Sequence, residues 1–178
     1  MFPARYNRCV PADLAIRPEY PGDGPHIHAI NLAAFGRSDE AGLIDNLRTE
    51  GAILLSLVAE VDNQAVGHIL FSRMRIQTES GGIDAVALAP MAVVPQYQHQ
   101  GIGGQLIRHG LDLLRRRGEK IVVVLGHAHY YPRFGFSTDR ARNLQSPFPA
   151  DSYMALELLP GALDGVKGPV QYARAFGL

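Results

Sequence analysis

The chain has 178 residues, 47% of them hydrophobic, with 17 basic against 17 acidic side chains and a formal net charge of +0. That length fits one domain with a substantial core over residues 1–178 rather than two ordinary ones. The charge balance excludes a partner gathered by bulk electrostatics, so neither nucleic acid nor an anionic membrane is expected.

Cys9 is the sole cysteine and cannot close an internal disulfide, and a reducing compartment is the simpler reading. No secretory apolar run opens the chain, and no stretch of about 18 apolar residues offers a membrane span. A cytoplasmic location is the expectation.

Residues 1–11 read as a loose arm, followed by a short extended piece at 14–17, where Pro18 disfavours helix just upstream of itself. In "PGDGPHIHAINLAAFG" Asp23 can cap a helix with Pro25 in its first turn, Ile27, Ile30 and Ala34 on its apolar face, and Gly36 as its stop. Ser38 can cap a second helix to about residue 50, with Leu43, Ile44 and Leu47 inward. "ILLSLVAEV" and "AVGHILFSRMRIQT" flank the polar "DNQ" and predict a β-hairpin. After "ESGG" comes a third strand, in which Pro90 implies a bulge or an edge because it cannot donate to the ladder.

From Gly101 to about Arg117 the pattern is helical, with Ile102, Leu106, Leu113 and Leu114 on a broad apolar face that Ile107 and Leu111 extend. Arg115, Arg116 and Arg117 suit the negative end of the helix dipole, and Gly118 the residue just beyond. "KIVVVLG" reads as a short buried parallel strand, "HAHYYPRFGF" as no more than a turn or two of helix, and 153–158 as a late strand. Residues 137–151, with two prolines and mixed charge, read as a mobile loop, and 160–178 as a C-terminal tail. The apolar part of that tail, 170–176, could pack on its own chain or on a second copy, which leaves a homodimer open.

Gly101, Gly103 and Gly104 crowd the start of the long helix, although a glycine there costs about 1 kcal/mol relative to alanine. Helix N-termini present unbonded N–H groups to anions, and absent side chains let a bulky anion such as a pyrophosphate approach them. Two familiar phosphate motifs fail. G-x-G-x-x-G would need glycine at Leu106, and a P-loop would need a Gly-Lys-Ser/Thr ending.

What remains, Gln98-His99-Gln100-Gly101-Ile102-Gly103 with Gly104 behind it, resembles the Q/R-x-x-G-x-G/A signature of the GNAT superfamily of N-acetyltransferases. The neighbours are in order. Met91-Ala92-Val93 matches the apolar triplet that ends the preceding strand in that family, Val93-Val94-Pro95 its V-x-P connection, and "YYPRFGF" places Tyr131 four residues before Gly135 and five before Phe136. The resemblance implies a mixed α/β (α+β) fold whose central, mostly antiparallel sheet is splayed into a V with helices on both faces. It also implies acetyl-coenzyme A as co-substrate and direct transfer of acetyl to an amine acceptor in a ternary complex. By the same resemblance Gln98, His99, Gln100, Gly101, Ile102, Gly103 and Gly104 bind the pyrophosphate, backbone groups of Met91, Ala92 and Val93 meet the pantetheine arm and the oxyanion, and Tyr131 is the general acid toward sulfur. Many relatives carry an asparagine where this chain has Val124, so contact there falls to backbone or to another side chain.

Such chemistry also needs an unprotonated amine, and a lysine-type amine has a pKa of about 10.4. His127, His129, Glu60, His68 and Asp84 are all candidate bases, and water can serve instead. Tyr130 reads as a core or rim aromatic beside Tyr131. The pairs His26-x-His28 and His127-x-His129 lack further ligands by spacing, so no metal is expected. The rival reading is a non-catalytic acyl-coenzyme A-binding or sensing module that keeps the cleft without turnover.

Overall fold

The structure is a computed structural model and describes residues 10–178; Cys9 and most of the predicted N-terminal arm lie outside the described residues. The elements in chain order are β1 (Ala15–Pro18), α1 (Gly24–Phe35), α2 (Asp39–Glu50), β2 (Ile53–Val61), β3 (Gln64–Thr78), β4 (Gly81–Val93), α3 (Ile102–Arg116), β5 (Ile121–Leu125), α4 (Thr138–Ala141), β6 (Leu144–Gln145), β7 (Tyr153–Glu157) and β8 (Gly168–Gln171). Single 3-10 turns lie at Pro95–Tyr97, Tyr131–Phe134 and Arg174–Phe176. Among the described residues no helix is long and apolar enough to cross a membrane.

The sheet runs β1-β2-β3-β4-β5-β7, antiparallel along this path except for the β4–β5 pair, with β8 paired antiparallel to β3 and parallel to β6. The hairpin turns on Asp62 and Asn63, both with positive φ (51° and 60°), a twist that suits a two-residue connection. Opposite Ile69 and Phe71 the register slips by one residue, so Ala89 and Pro90 form the bulge that the proline demanded. Side chains alternate across the strands. Leu57, Ile69 and Phe71 bury against Ile102, Leu106 and Ile107 of α3, while Val58 and Leu70 bury against Ile27, Ile44 and Leu47 of α1 and α2. Helices thus cover both faces, and Leu113, expected inside, is only half-buried.

Two predicted caps differ from expectation. Asp23 and Ser38 precede α1 and α2, but neither side chain caps its helix. Asp23 instead accepts from both terminal nitrogens of Arg17 (2.6 and 3.0 Å) and from the Tyr20 amide (2.7 Å), because the charged partner outcompetes the helix amides.

Residues 137–151 are not the irregular loop that their composition suggests. α4, capped by Ser137, and β6 bury Ala141 and Leu144 in a second core beneath β5 and β7. The C-terminal segment packs on its own chain: β8 pairs with Arg75 and Ile76 of β3, past the point where β2 has ended, and Val170, Tyr172 and Phe176 join that core.

Candidate active site

The last hydrogen-bonded residues between β4 and β5 are Leu88 and Val124. Beyond them β4 continues through the bulge and pairs only with β3, as Met91–Ile69, Ala92–His68 and Val93–Gly67. The second edge of Met91, Ala92 and Val93 is therefore open, and unpaired backbone groups there require partners from elsewhere. Part of the requirement is met internally, since Gln98 Nε2 donates to the Val93 carbonyl (2.9 Å).

The chain then turns through His99 and Gly101, both left-handed at φ 61° and 82°, into α3. The helix closes its first bond from the Gln105 N–H to the Gly101 carbonyl (3.0 Å), leaving the amides of Ile102, Gly103 and Gly104 without intrahelical acceptors. These residues border a cavity of about 650 Å3 that also reaches Met91, Ala92, Val93, Gln98 and His99. A Cβ on Gly103 would stand 2.9 Å from the Tyr130 hydroxyl and 3.1 Å from Met91 Sδ, so only glycine keeps this part of the cavity open. Gln100 does not line it; its side chain closes the preceding turn onto the Gln96 carbonyl (2.9 Å).

Two cations reach the same cavity, and neither was singled out in the sequence. Arg108, two turns into α3, lies 5.1 Å from the Phe134 ring centre, and Arg133 lies 5.4 Å from that of Tyr130. Among the described residues neither has a carboxylate partner, unlike Arg17, Arg37, Arg48 and Arg73. Glycine-exposed amides at a helix N-terminus, with two such guanidinium groups bordering the same cavity, suit a diphosphate. Val124, by contrast, is buried in strand pairing with Leu88 and Met154.

Tyr131 is buried, its ring closed over Gly126 and edge-on to Phe136. Among the described residues its hydroxyl has no protein partner, yet the unbonded polar side-chain atoms that are fully buried are Asn31 Oδ1 and Ser72 Oγ alone. The Tyr131 hydroxyl therefore reaches open space, and the space it borders is a second cavity on the β4 bulge. Burial pushes its pKa up and keeps it protonated at neutral pH. Tyr130, read from the sequence as a structural aromatic, is half-buried and borders both cavities.

The candidate bases separate. Glu60 is held by Arg17 (2.6 Å), and exposed Asp84 pairs with Arg75 (3.3 Å). His68 is fully buried between Ser56 Oγ (2.9 Å) and Asn31 Nδ2 (3.4 Å), with its pKa pushed down to about 3 by burial. His129 lies on the exposed turn after β5 and borders neither cavity, whereas His127 borders the second.

A sequence model of the acetyltransferase (GNAT) domain matches residues 53–138. The N-acetyltransferase YhbS of Escherichia coli is 37% identical over 166 residues, 92% of this chain and 98% of that protein. The N-acetyltransferase YjhQ of the same organism is 46% identical over 116 residues, a match spanning 64% of each chain. A crystal structure of Escherichia coli YhbS in complex with CoA superposes with a TM-score of 0.87 at 36% identity, covering 93% of both chains. One from Brucella melitensis in complex with acetyl-CoA gives 0.77 at 37% identity, covering 92% of this chain and 97% of that one.

Proposed function

Because the chain belongs to the GNAT superfamily of N-acetyltransferases, we propose that it transfers acetyl directly from acetyl-coenzyme A to an amine, with both substrates bound together. The observation that carries this reading is the start of α3, where three amides without intrahelical acceptors face an open cavity that a Cβ on Gly103 would obstruct. The relatives crystallised with CoA and acetyl-CoA support the same ligand.

Bound acetyl-coenzyme A supplies an activated thioester. The amides at Gly101, Ile102, Gly103 and Gly104 hold its pyrophosphate, with Gln98, His99 and Gln100 shaping the turn in front of them and Arg108 and Arg133 adding charge. The open edge of Met91, Ala92 and Val93 bonds the pantetheine amides, and backbone N–H from that edge stabilises the oxyanion. The acceptor nitrogen bonds to the acetyl carbon, the carbon–sulfur bond breaks, Tyr131 gives its proton to the departing sulfur, and the nitrogen loses a proton to water, from which the tyrosinate is reprotonated. Among the candidate bases only His127 borders the second cavity, and water is the simpler acceptor of that proton.

Calorimetric titration of acetyl-coenzyme A into the wild type and a Gly103→Glu variant tests binding. Wild type should bind and the variant should not, since the new carboxylate enters the phosphate cradle. Failure of both to bind while folded refutes the reading. Tyr131→Phe should lower kcat by about 10²- to 10⁴-fold, the usual span for a positioned proton donor, with acetyl-coenzyme A affinity kept. Unchanged turnover would remove Tyr131 from the chemistry.

A further inference from the structure

We propose that the second cavity is the acceptor site and that it takes a small monoamine carried on an apolar or aromatic body; this rests on the acetyltransferase reading above. The cavity measures about 520 Å3 and shares Phe35, Met91 and Tyr130 with the first, so it begins where the β4 edge leaves the cofactor cleft. Its opening follows from the bulge: pairing between β4 and β5 stops at Leu88, and the two strands diverge around Ala89 and Pro90. The volume falls within the range of small-molecule sites, about 300–1,000 Å3.

The lining selects the body of the acceptor. Phe148, Tyr172 and Phe176 form a continuous aromatic series with ring centres 5.8 and 4.9 Å apart, and Tyr130 and Tyr131 add an edge-on pair at 5.3 Å. Phe35 and Leu125, 39% and 43% exposed, are among the few large apolar side chains left in solvent, and both border this cavity. Exposed apolar groups gathered around one concavity mark a ligand surface rather than chance.

The charges select against polycations. Among the described residues Glu40 is the only carboxylate bordering the cavity, and Arg37 already holds it, with Nη2 to Oε1 at 2.6 Å and Nε to both oxygens at 3.2 Å. A second or third ammonium on the acceptor would be desolvated here without a counter-charge, which is costly. A monoamine avoids that cost once it has shed its single proton. The Tyr131 hydroxyl, unbonded to protein among the described residues, remains to orient the nitrogen.

The test is thiol release at saturating acetyl-coenzyme A with 2-phenylethylamine, hexylamine, spermidine and a free-amino tetrapeptide. The two apolar monoamines should show kcat/KM at least tenfold above spermidine and the tetrapeptide. Leu125→Lys places a cation at the exposed rim and should raise KM for 2-phenylethylamine about tenfold, with kcat and acetyl-coenzyme A affinity little changed; Phe35→Ala should raise KM in the same direction. Preference for spermidine or the tetrapeptide overturns the proposal, as does an unchanged KM in both variants. It is also overturned if no amine is acetylated while calorimetry still registers acetyl-coenzyme A, an outcome that spares the cofactor site. Loss of acetyl-coenzyme A binding itself would overturn both readings together.

Discussion

His68 makes stability depend on pH by an amount that the structure lets one work out. The Asn31 amide nitrogen can only donate, and it is oriented by a bond to the Ile27 carbonyl (2.9 Å), so Nδ1 of His68 accepts and Nε2 carries the proton toward Ser56 Oγ. A second proton would set two donors against each other inside the core. Burial is the main cause that lowers the pKa from 6.5 to about 3, the Arg48 charge adds to it, and Asp23 opposes it. The folded pKa lies below the unfolded one, so the unfolded chain binds a proton first as pH falls. This contribution is therefore complete above about pH 6.5 and is lost progressively down to about pH 3. At pH 5.0, 1.5 units below the unfolded pKa, the loss is about 2 kcal/mol at 1.36 kcal/mol per unit. Against a typical domain stability of about 5–15 kcal/mol this is readily measured. Urea unfolding of the wild type and of His68→Gln at pH 7.5 and 5.0 isolates the effect, because other titrating groups act on both. The wild type should lose about 2 kcal/mol more than the variant. Equal losses, or an NMR titration of the His68 ring with a midpoint near 6.5 in the folded protein, would refute the reasoning.

Arg108→Ala and Arg133→Ala should each weaken acetyl-coenzyme A binding by about 1–2 kcal/mol and flatten its salt dependence, since both guanidinium groups border the cleft without carboxylate partners among the described residues; unchanged calorimetric affinity in both would take them out of the proposed phosphate site. Gly126→Ala drives a methyl group into the Tyr131 ring and should cost about 1–3 kcal/mol in urea unfolding, with a larger fall in kcat than in cofactor affinity. A variant with wild-type turnover would show that the ring position is not critical. Leu106→Ala empties a fully buried position between α3 and the sheet and should cost about 2–5 kcal/mol, read from the same curves.

Much of this protein was local in its sequence. The hairpin follows from two β-branched runs around Asp62 and Asn63, the bulge from Pro90, and α3 from its apolar period and its terminal glycines. Each of these is a conformational property of a few adjacent residues, which explains why pattern alone located them. The unbonded amides at the α3 start were legible for the same reason, because such N–H groups are intrinsic to any helix beginning. Composition misled where packing decided. Residues 137–151 look like loop in their prolines and charges, but Ala141 and Leu144 have a core to enter and so become ordered structure.

Other features depend on which distant residues the sheet and helices bring together. Asp23 reads as a cap until Arg17 and Glu60 arrive beside it, and His68 reads as a strand residue that could border a cleft until α1 and β2 seal it in. Arg108 and Arg133 are 25 positions apart and ordinary in their own segments; they become cofactor candidates because the turn after β5 folds back over α3. The aromatic cavity draws on α1, α2, β4, the turn at Tyr131 and the C-terminal segment. Its composition belongs to no stretch of chain, so the sequence by itself determined the glycine-rich helix start through local backbone rules, while only the tertiary structure could assemble the aromatic cavity proposed for the acceptor, where side chains from remote segments share one concave surface.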